Sequence, residues 1–403
     1  MRRIPILRLV FLILAFGFCA FCNSAKNNKT SLPAQAESQP APAQEKPEIP
    51  VDAVHDDIAK FISGIPTSSP QLNVFQETDA WKNFAAFMES SWADLEKKRL
   101  KPMRDWAVSE LSEADKNTKV LFYPFGGPDF LTAYLLFPNA ETYVLLGLEF
   151  VGKLPTFETR TAPHVEAYLE NVKWSLSDFF QKSYFITHDM DETLQDNKVD
   201  GILPLICLFL KKAGASIVEI KRLEFDDEGQ LQEGPYETTK KKFRRPYGFR
   251  LAFVTNAASE LKNIYYFSCD LADERFTKES KLYAWLEKMG RVTTYIKSAS
   301  YLPHYRTFAN IRNMILAQSA YILEDDTGVP YRYFTDKDWE VQLYGQYAKP
   351  VKDFAGVEQR DLKAAYKDKT RIKKLPFHLG YHWGSNLDAI LYIKRKTPQA
   401  ESR

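Results

Sequence analysis

Several glycine and acidic residues that could bind a ligand follow predicted strands of this chain. Gly126 and Gly127 lie in "FYPFGGPDF", after the apolar run "KVLFYPF", which predicts a strand, and before "DFLTAYLLF", which predicts a helix. A glycine turn of this kind lets backbone N–H groups and the positive end of the helix face an anion, and Asp129 complements that end. Gly126, Gly127 and Asp129 are therefore candidate ligand-binding residues. The alternative is a structural corner.

The next predicted strand, "TYVLLGLE", ends at Glu149. An acid about twenty residues beyond a glycine turn matches the ribose-binding acid of nucleotide-binding folds. Residues 119–149 thus resemble the first half of a Rossmann-type methyltransferase, although G-x-G-x-x-G is missing, and the resemblance implies that Glu149 would hold the ribose of the cofactor. The stretch "YPFGGPDFL" is also similar to segments of exported bacterial proteins of unassigned function, which imply no activity.

A second acidic group follows a later strand. Asp325 and Asp326 end the predicted strand in "ILEDDTGVPYRYF", and His304 follows "VTTYIKSASYL", which predicts a strand over 292–302. Ligands of α/β sheets collect outside the carboxyl ends of strands. If the strand that ends at Asp325 lies beside the first two strands, Asp325 or Asp326 would share an edge with Asp129 and Glu149. Paired carboxylates there could act as acid and base or bind a divalent cation. The alternative is ordinary turn-forming aspartate.

Other motifs fail on chemical grounds. "GLEFVGKL" (147–154) fits G-x-x-x-x-G-K but ends in Leu154, where a P-loop needs Ser or Thr. His378 and His382 in "HLGYH" lie in a predicted loop without the acid of a zinc motif. We predict no metal site and assign no cofactor.

The order of elements predicts the fold class. Helical and strand patterns alternate, so we expect an α/β fold with a mixed, partly parallel sheet flanked by helices. Its first unit should be Rossmann-like, and three strands within 216–271 should form an antiparallel extension. We expect one globular domain over 51–398, with the charged stretch 226–248 as a candidate point of subdivision.

The N-terminus predicts the cellular location. Three arginines precede "LVFLILAFGFCAFC", which is too short to span a bilayer comfortably. Residues 1–22 therefore predict a signal peptide or N-terminal anchor, with Cys22 as a candidate lipidation site. Residues 23–50 are rich in Pro, Ala, Gln and Ser and should form a loose tether. We expect export to the periplasm or cell envelope, with membrane association through the N-terminus.

Composition and location limit the function. A net charge of +2 gives no general attraction to nucleic acid, and export counts against intracellular cofactors such as S-adenosylmethionine and NAD. We expect an envelope protein with a binding or structural role and an unknown ligand; the alternative is an enzyme on a methyltransferase-like scaffold with its site at the strand ends. Cys207 and Cys269 could pair, or Cys207 could be a buried thiol within "GILPLICLFL".

Overall fold

The structure is a computed structural model that describes residues 49–182, 194, 198–236, 246–255, 258–385 and 387–396. The chain divides into two units, Met1–Lys46 and Pro47–Arg403, and the second contains all elements below. The predicted signal or anchor, Cys22 and the tether up to residue 48 lie outside the described residues. Within the described ranges, none of the helices has the length and apolar character needed to cross a membrane.

One mixed sheet forms the centre of the described structure. Its eleven strands are β1 (Val120–Tyr123), β2 (Thr142–Gly147), β3 (Ala215–Phe225), β4 (Leu231–Pro235), β5 (Tyr247–Thr255), β6 (Ala258–Ser268), β7 (Val292–Ile296), β8 (Ser319–Asp325), β9 (Trp339–Gly345), β10 (Ile372–Lys373) and β11 (Ala389–Arg395). Their spatial order is β10-β9-β11-β8-β7-β1-β2-β6-β5-β3-β4. The predicted α/β class with a mixed, partly parallel sheet is confirmed.

The five central strands are parallel and wind in two directions from β1. Strands β2 and β6 follow on one side of β1, and β7 and β8 follow on the other. If these five strands are numbered 1 to 5 in chain order, their spatial order is 3-2-1-4-5, as in Rossmann folds. Ligands of such folds bind where the winding reverses, here between β1 and β7. Val120 pairs with Thr142 across β1 and β2, which confirms the Rossmann-like first unit.

Helices cover both faces of the sheet. They are α1 (Ala53–Ile62), α2 (Pro70–Gln76), α3 (Asp79–Leu95), α4 (Lys101–Glu110), α5 (Ser112–Asn117), α6 (Phe130–Leu136), α7 (Ala162–Lys182), α8 (Leu203–Lys212), α9 (Lys281–Glu287), α10 (Ala309–Gln318) and α11 (Arg360–Ala365). Leu121 and Tyr123 of β1 face the apolar cluster that contains α1–α8, whereas Phe122 faces the cluster that contains α9–α11. This alternation follows from the two-residue period of a strand.

The antiparallel extension is confirmed, and some strand predictions need correction. Strands β6, β5, β3 and β4 pair antiparallel at one end of the sheet, and the hairpin strand β4 was not predicted. At the other end β11 runs antiparallel between β8 and β9. The strand predicted over 292–302 ends at Ile296, because Ser298, Ser300 and Tyr301 adopt left-handed φ angles of 54°, 49° and 55°. Extended backbone cannot continue through such residues.

Candidate functional site

The glycine turn after β1 is bonded to the strand beside it. The N–H groups of Gly126 and Gly127 both donate to the carbonyl of Leu146 in β2, at N···O distances of 2.9 and 3.4 Å. The N–H of Asp129 donates to the carbonyl of Gly126, 3.1 Å away. The main-chain donors expected to face an anion thus already have main-chain acceptors. This geometry is that of a structural corner, and anion binding at Gly126 and Gly127 stays a prediction.

Glu149 folds back over this turn. A Cβ atom on Gly127 would lie 3.2 Å from Glu149 Oε2, and one on Gly147 would lie 2.3 Å from the same atom. The carboxylate is 8% exposed, and the Tyr266 hydroxyl lies 3.4 Å from its Oε2 atom. A side chain at 147 would displace this carboxylate and approach the Tyr266 hydroxyl to 2.9 Å. The acid predicted to hold a ribose therefore lies against the protein's own turn.

Asp129 is the N-cap of α6 and half of a buried ion pair. Its carboxylate lies 2.5 Å from Lys297 Nζ, and each side chain is at most 3% exposed. The hydroxyls of Thr132 and Tyr123 donate to its Oδ2 atom at 2.6 and 3.1 Å. A buried ion pair is stable only when its remaining polar atoms are also bonded, and these hydroxyls meet that condition for Asp129. Lys297 was not among the predicted site residues.

The aspartates at the end of β8 are buried and bonded in the same way. Asp325 accepts hydrogen bonds from the Ser298 N–H at 2.9 Å and the Thr327 N–H at 3.0 Å. Asp326 accepts one from the Tyr301 hydroxyl at 2.5 Å. Burial, and then the neighbouring Asp326, raises the pKa of Asp325 to about 6. The Thr327 contact is that of a turn-forming aspartate, whereas Ser298 and Tyr301 come from a distant segment. An acid–base or cation-binding role of the two aspartates stays a prediction.

His304 and His382 face this group from two other segments. Burial lowers the pKa of His304 to about 4, and its ring packs 5.2 Å from that of Tyr301. His382 Nε2 lies 3.7 Å from Asp326 Oδ2, which is beyond hydrogen-bond range. Burial alone would lower the pKa of His382, but Asp326 outweighs this effect and the pKa is raised. His304 is thus neutral near pH 7.

The structure brings most predicted site residues to one edge of the sheet. We call the group formed by Tyr123, Asp129, Lys297, Ser298, Tyr301, His304, Asp325, Asp326 and His382 the strand-end cluster. Strand β7 separates β8 from β1. Lys297 and Ser298, the two residues just after β7, bind Asp129 and Asp325. Glu149 lies apart, beside Gly127. In the part of the chain that the structure describes, no group of three or more His, Cys, Asp or Glu residues could hold a metal ion.

The two cysteines of the globular unit are both buried and form no disulfide with each other. Cys207 lies inside α8, whose apolar residues are buried on all sides. Burial raises the pKa of the Cys207 thiol well above its ordinary value. The thiol is therefore a poor nucleophile and acts as a small apolar side chain.

A large cavity lies on the other side of β2. Its volume is about 850 Å³, and its walls are α1, the first residues of α2 and the loop 150–158, with Tyr236 and Tyr247 at its back. We call it the α1 cavity. Leu72, Leu154 and Phe157 line it and are at most 6% exposed, and we call this apolar part of the lining the floor. The charged residues Asp200 and Arg222 also line the cavity. The Phe157 ring packs 4.9 Å from that of Phe61, which joins the floor to the core.

Close backbone crossings hold the loop wall of the α1 cavity. Gly152 has φ +69°, and a Cβ atom there would lie 1.6 Å from the carbonyl oxygen of Asp200. The crossing segments exchange main-chain hydrogen bonds of 3.0 Å, from Ile202 to Phe150 and from Lys153 to Asp200. Only glycine allows this approach. The wall is thus preformed rather than assembled around a ligand.

The helix wall is fixed by one buried acid. Asp56 of α1 accepts hydrogen bonds from the Ile217 N–H at 2.9 Å and from Lys211 Nζ at 2.7 Å. The Asp52 N–H, just before α1, donates to the Ile217 carbonyl at 2.9 Å. These contacts attach α1 to β3 and α8. The cavity residues were missed from the sequence; their signal was a Pro-containing loop, "VGKLPTF", with several large apolar residues.

The fold and these two regions define an α/β protein with a Rossmann-order sheet and a preformed apolar cavity. No protein-family model, no curated protein and no solved structure matches the chain significantly.

Proposed function

We propose that this protein is a binding protein of the cell envelope that holds a small apolar or amphipathic molecule in the α1 cavity. The α1 cavity is the observation that carries the proposal. Its volume of about 850 Å³ falls in the range of roughly 300–1,000 Å³ typical of small-molecule sites. Its mainly apolar floor with a few polar groups is also typical of such sites. Location in the envelope rests on the N-terminal sequence.

In this proposal the strand-end cluster has a structural role. Asp129, Asp325 and Asp326 each receive hydrogen bonds or an ion pair from the protein itself. A ligand or metal that bound there would have to replace these buried contacts, and breaking one side of a buried pair costs about 3–5 kcal/mol. The α1 cavity requires no such replacement.

Binding of fatty acids to the Pro47–Arg403 unit tests the proposal. In a series from octanoate to tetradecanoate, each added methylene should strengthen binding about fourfold, because each buried methylene contributes about 0.8 kcal/mol. Ala53→Trp should weaken binding about tenfold or more, since Ala53 is an exposed residue of the cavity wall.

Ala86→Trp is the matched control for the fatty-acid titration. Ala86 is also exposed and helical but lies on α3, away from the α1 cavity. Its affinity should equal that of the wild type. An affinity that does not depend on acyl-chain length would contradict the proposal. So would an equal loss of affinity in Ala53→Trp and Ala86→Trp.

A second candidate is an enzyme on a methyltransferase-like scaffold, with its site at the carboxyl ends of the strands. Its support is the 3-2-1-4-5 order of the parallel strands together with Glu149 beside Gly127. S-adenosylmethionine or its demethylated product should then raise the melting temperature of the unit, and Glu149→Gln should abolish the increase. An unchanged melting temperature at saturating cofactor would remove this candidate.

A further inference from the structure

Exposed apolar side chains surround the mouth of the α1 cavity. Val54 and Phe150 line the cavity and are 67% and 40% exposed. Val51 lies three residues before Val54, just outside α1. Val74 lies on the same face of α2 as the lining residues Pro70 and Gln71; these valines are 43% and 65% exposed. We call Val51, Val54, Val74 and Phe150 the apolar rim. Apolar residues grouped at the mouth of a site mark an interaction surface.

The start of the described chain leads directly to this rim. Ile49 and Pro50 precede α1, and the Asp52–Ile217 bond fixes the point where the chain enters the globular unit. The sequence predicts a membrane-associated segment at 1–22 and a loose tether at 23–50. The apolar rim therefore begins at Val51, the residue that directly follows the predicted tether in the chain.

Charges of both signs lie beside the apolar rim. Lys153 is exposed and lines the α1 cavity, as do Asp57 and Glu158. Asp57 already binds Lys60 Nζ at 3.0 Å, so a phosphate group would be attracted to Lys153 and an ammonium group to Glu158. A zwitterionic head group satisfies both, with its acyl chain on the apolar floor at Phe157.

We propose that the ligand is a phospholipid with a zwitterionic head group, taken from the membrane through the apolar rim. This inference rests on the proposed function, because it names the ligand class of the same cavity. The rim valines contact the bilayer surface, and one acyl chain enters between α1 and the loop 150–158. The exposed rim is then covered by lipid in the working protein.

Photo-crosslinking of the full chain tests the inference. The chain is reconstituted in phosphatidylcholine vesicles whose acyl chains carry a diazirine, and adducts are mapped by mass spectrometry. We expect adducts on cavity residues such as Leu72 and Phe157. The double variant Val51→Asp/Val74→Asp should reduce them about tenfold, because two apolar contacts with the bilayer are replaced by hydrated charges.

Val108→Asp is the matched control in this experiment. Val108 is 75% exposed on α4 and does not line the α1 cavity, so its variant should label like the wild type. Because neither Val51 nor Val74 lines the cavity, the double variant should still bind tetradecanoate from solution like the wild type.

The outcomes separate the two proposals. Equal cavity labelling in the wild type and Val51→Asp/Val74→Asp would overturn uptake through the apolar rim. Absence of cavity adducts, with fatty-acid binding retained in solution, would overturn the phospholipid ligand and leave the binding function standing. Absence of both would overturn both proposals.

Discussion

The strand-end cluster and the α1 cavity divide between them the features that a binding site normally combines. The strand-end cluster has acids, histidines and strained backbone at the switch point of a Rossmann-order sheet, but its carboxylates are bonded to the protein. The α1 cavity has an apolar floor and about 850 Å³ of space, and charged residues such as Asp200 and Arg222 also line it. Reactive residue types at the usual place in a fold do not by themselves make a site, because their carboxylates can be bonded to the protein. Three buried atoms of the strand-end cluster, on Ser298, His304 and His382, still lack a hydrogen-bond partner among the described residues.

Removal of Lys297 should have the largest effect. Lys297→Met leaves Asp129 as a buried charge without its cation, so the free energy of unfolding should fall by about 3–5 kcal/mol. Urea denaturation of the Pro47–Arg403 unit measures this loss. The double variant Lys297→Met/Asp129→Asn should recover most of it, because the charge is gone and Thr132 can still donate to residue 129. A small loss in the single variant would show that the ion pair is not what stabilises the strand-end cluster.

Asp325 and His304 should give opposite pH dependences of stability. The pKa of Asp325 is raised to about 6, so the folded carboxyl keeps a proton that the unfolded chain loses above about pH 4. That stabilisation is present at low pH and is lost as the pH rises through about 6. The pKa of His304 is lowered to about 4, so its contribution is present near neutral pH and is lost as the pH falls from about 6.5 to 4.

Variants of these two residues isolate the two contributions. Between about pH 6 and 4, Asp325→Asn should lose about 2 kcal/mol more unfolding free energy than the wild type, since one pKa unit corresponds to about 1.4 kcal/mol and part of the titration lies outside this range. His304→Gln should lose about 2 kcal/mol less. Denaturation midpoints across this pH range measure both effects. Profiles parallel to that of the wild type would mean that neither group titrates as its burial implies.

The wall of the α1 cavity is tested by a pair of glycines with the same backbone conformation. Gly152 and Gly214 have φ of +69° and +75°, but only Gly152 has neighbours within 4 Å of an added Cβ. Gly214→Ala should cost about 1 kcal/mol for the left-handed conformation alone. Gly152→Ala should cost a further 1–3 kcal/mol, roughly, for the displaced loop, and should also weaken fatty-acid binding. Equal costs would mean that the crossing at Asp200 is not tight.

The smallest effect on stability is expected at the apolar rim. Val54→Ser changes a side chain that is 67% exposed, and surface changes of this kind usually stay within about 0.5 kcal/mol. Thermal denaturation should therefore not distinguish this variant from the wild type. A clear loss of stability would mean that Val54 belongs to the core, and the rim would have to be redefined.

The sequence predicted the local units of the fold better than their long-range contacts. Strands β1 and β2 and helix α6 were predicted because apolar runs, Gly126-Gly127 and Pro128 mark their boundaries locally. Strand β4 carries no strong apolar alternation and was missed. The strand predicted over 292–302 was too long, since β7 ends at Ile296. Ser298, Ser300 and Tyr301 have left-handed backbone, and no residue type in "KSASY" indicates this.

The candidate sites show the same limit. The positions of Asp129 and Asp325 at strand ends could be predicted from the run of each strand. Their long-range partners could not, because Lys297 and Ser298 reach them from the segment just after β7. Only the local partners Thr132 and Thr327 lie close by in the sequence. The α1 cavity exists only because α1 packs near the loop 150–158, about 100 residues later in the chain. A pattern within one segment cannot report the space between two segments.

The position of a bound fatty acid is the decisive test of ligand binding in the α1 cavity. A crystal structure of the Pro47–Arg403 unit with a terminally brominated tetradecanoate would show the bromine by its anomalous signal. We expect a bromine peak inside the α1 cavity beside Phe157. A peak beside Gly126 and Glu149, or no peak in the cavity at a ligand concentration that saturates binding in solution, would contradict it.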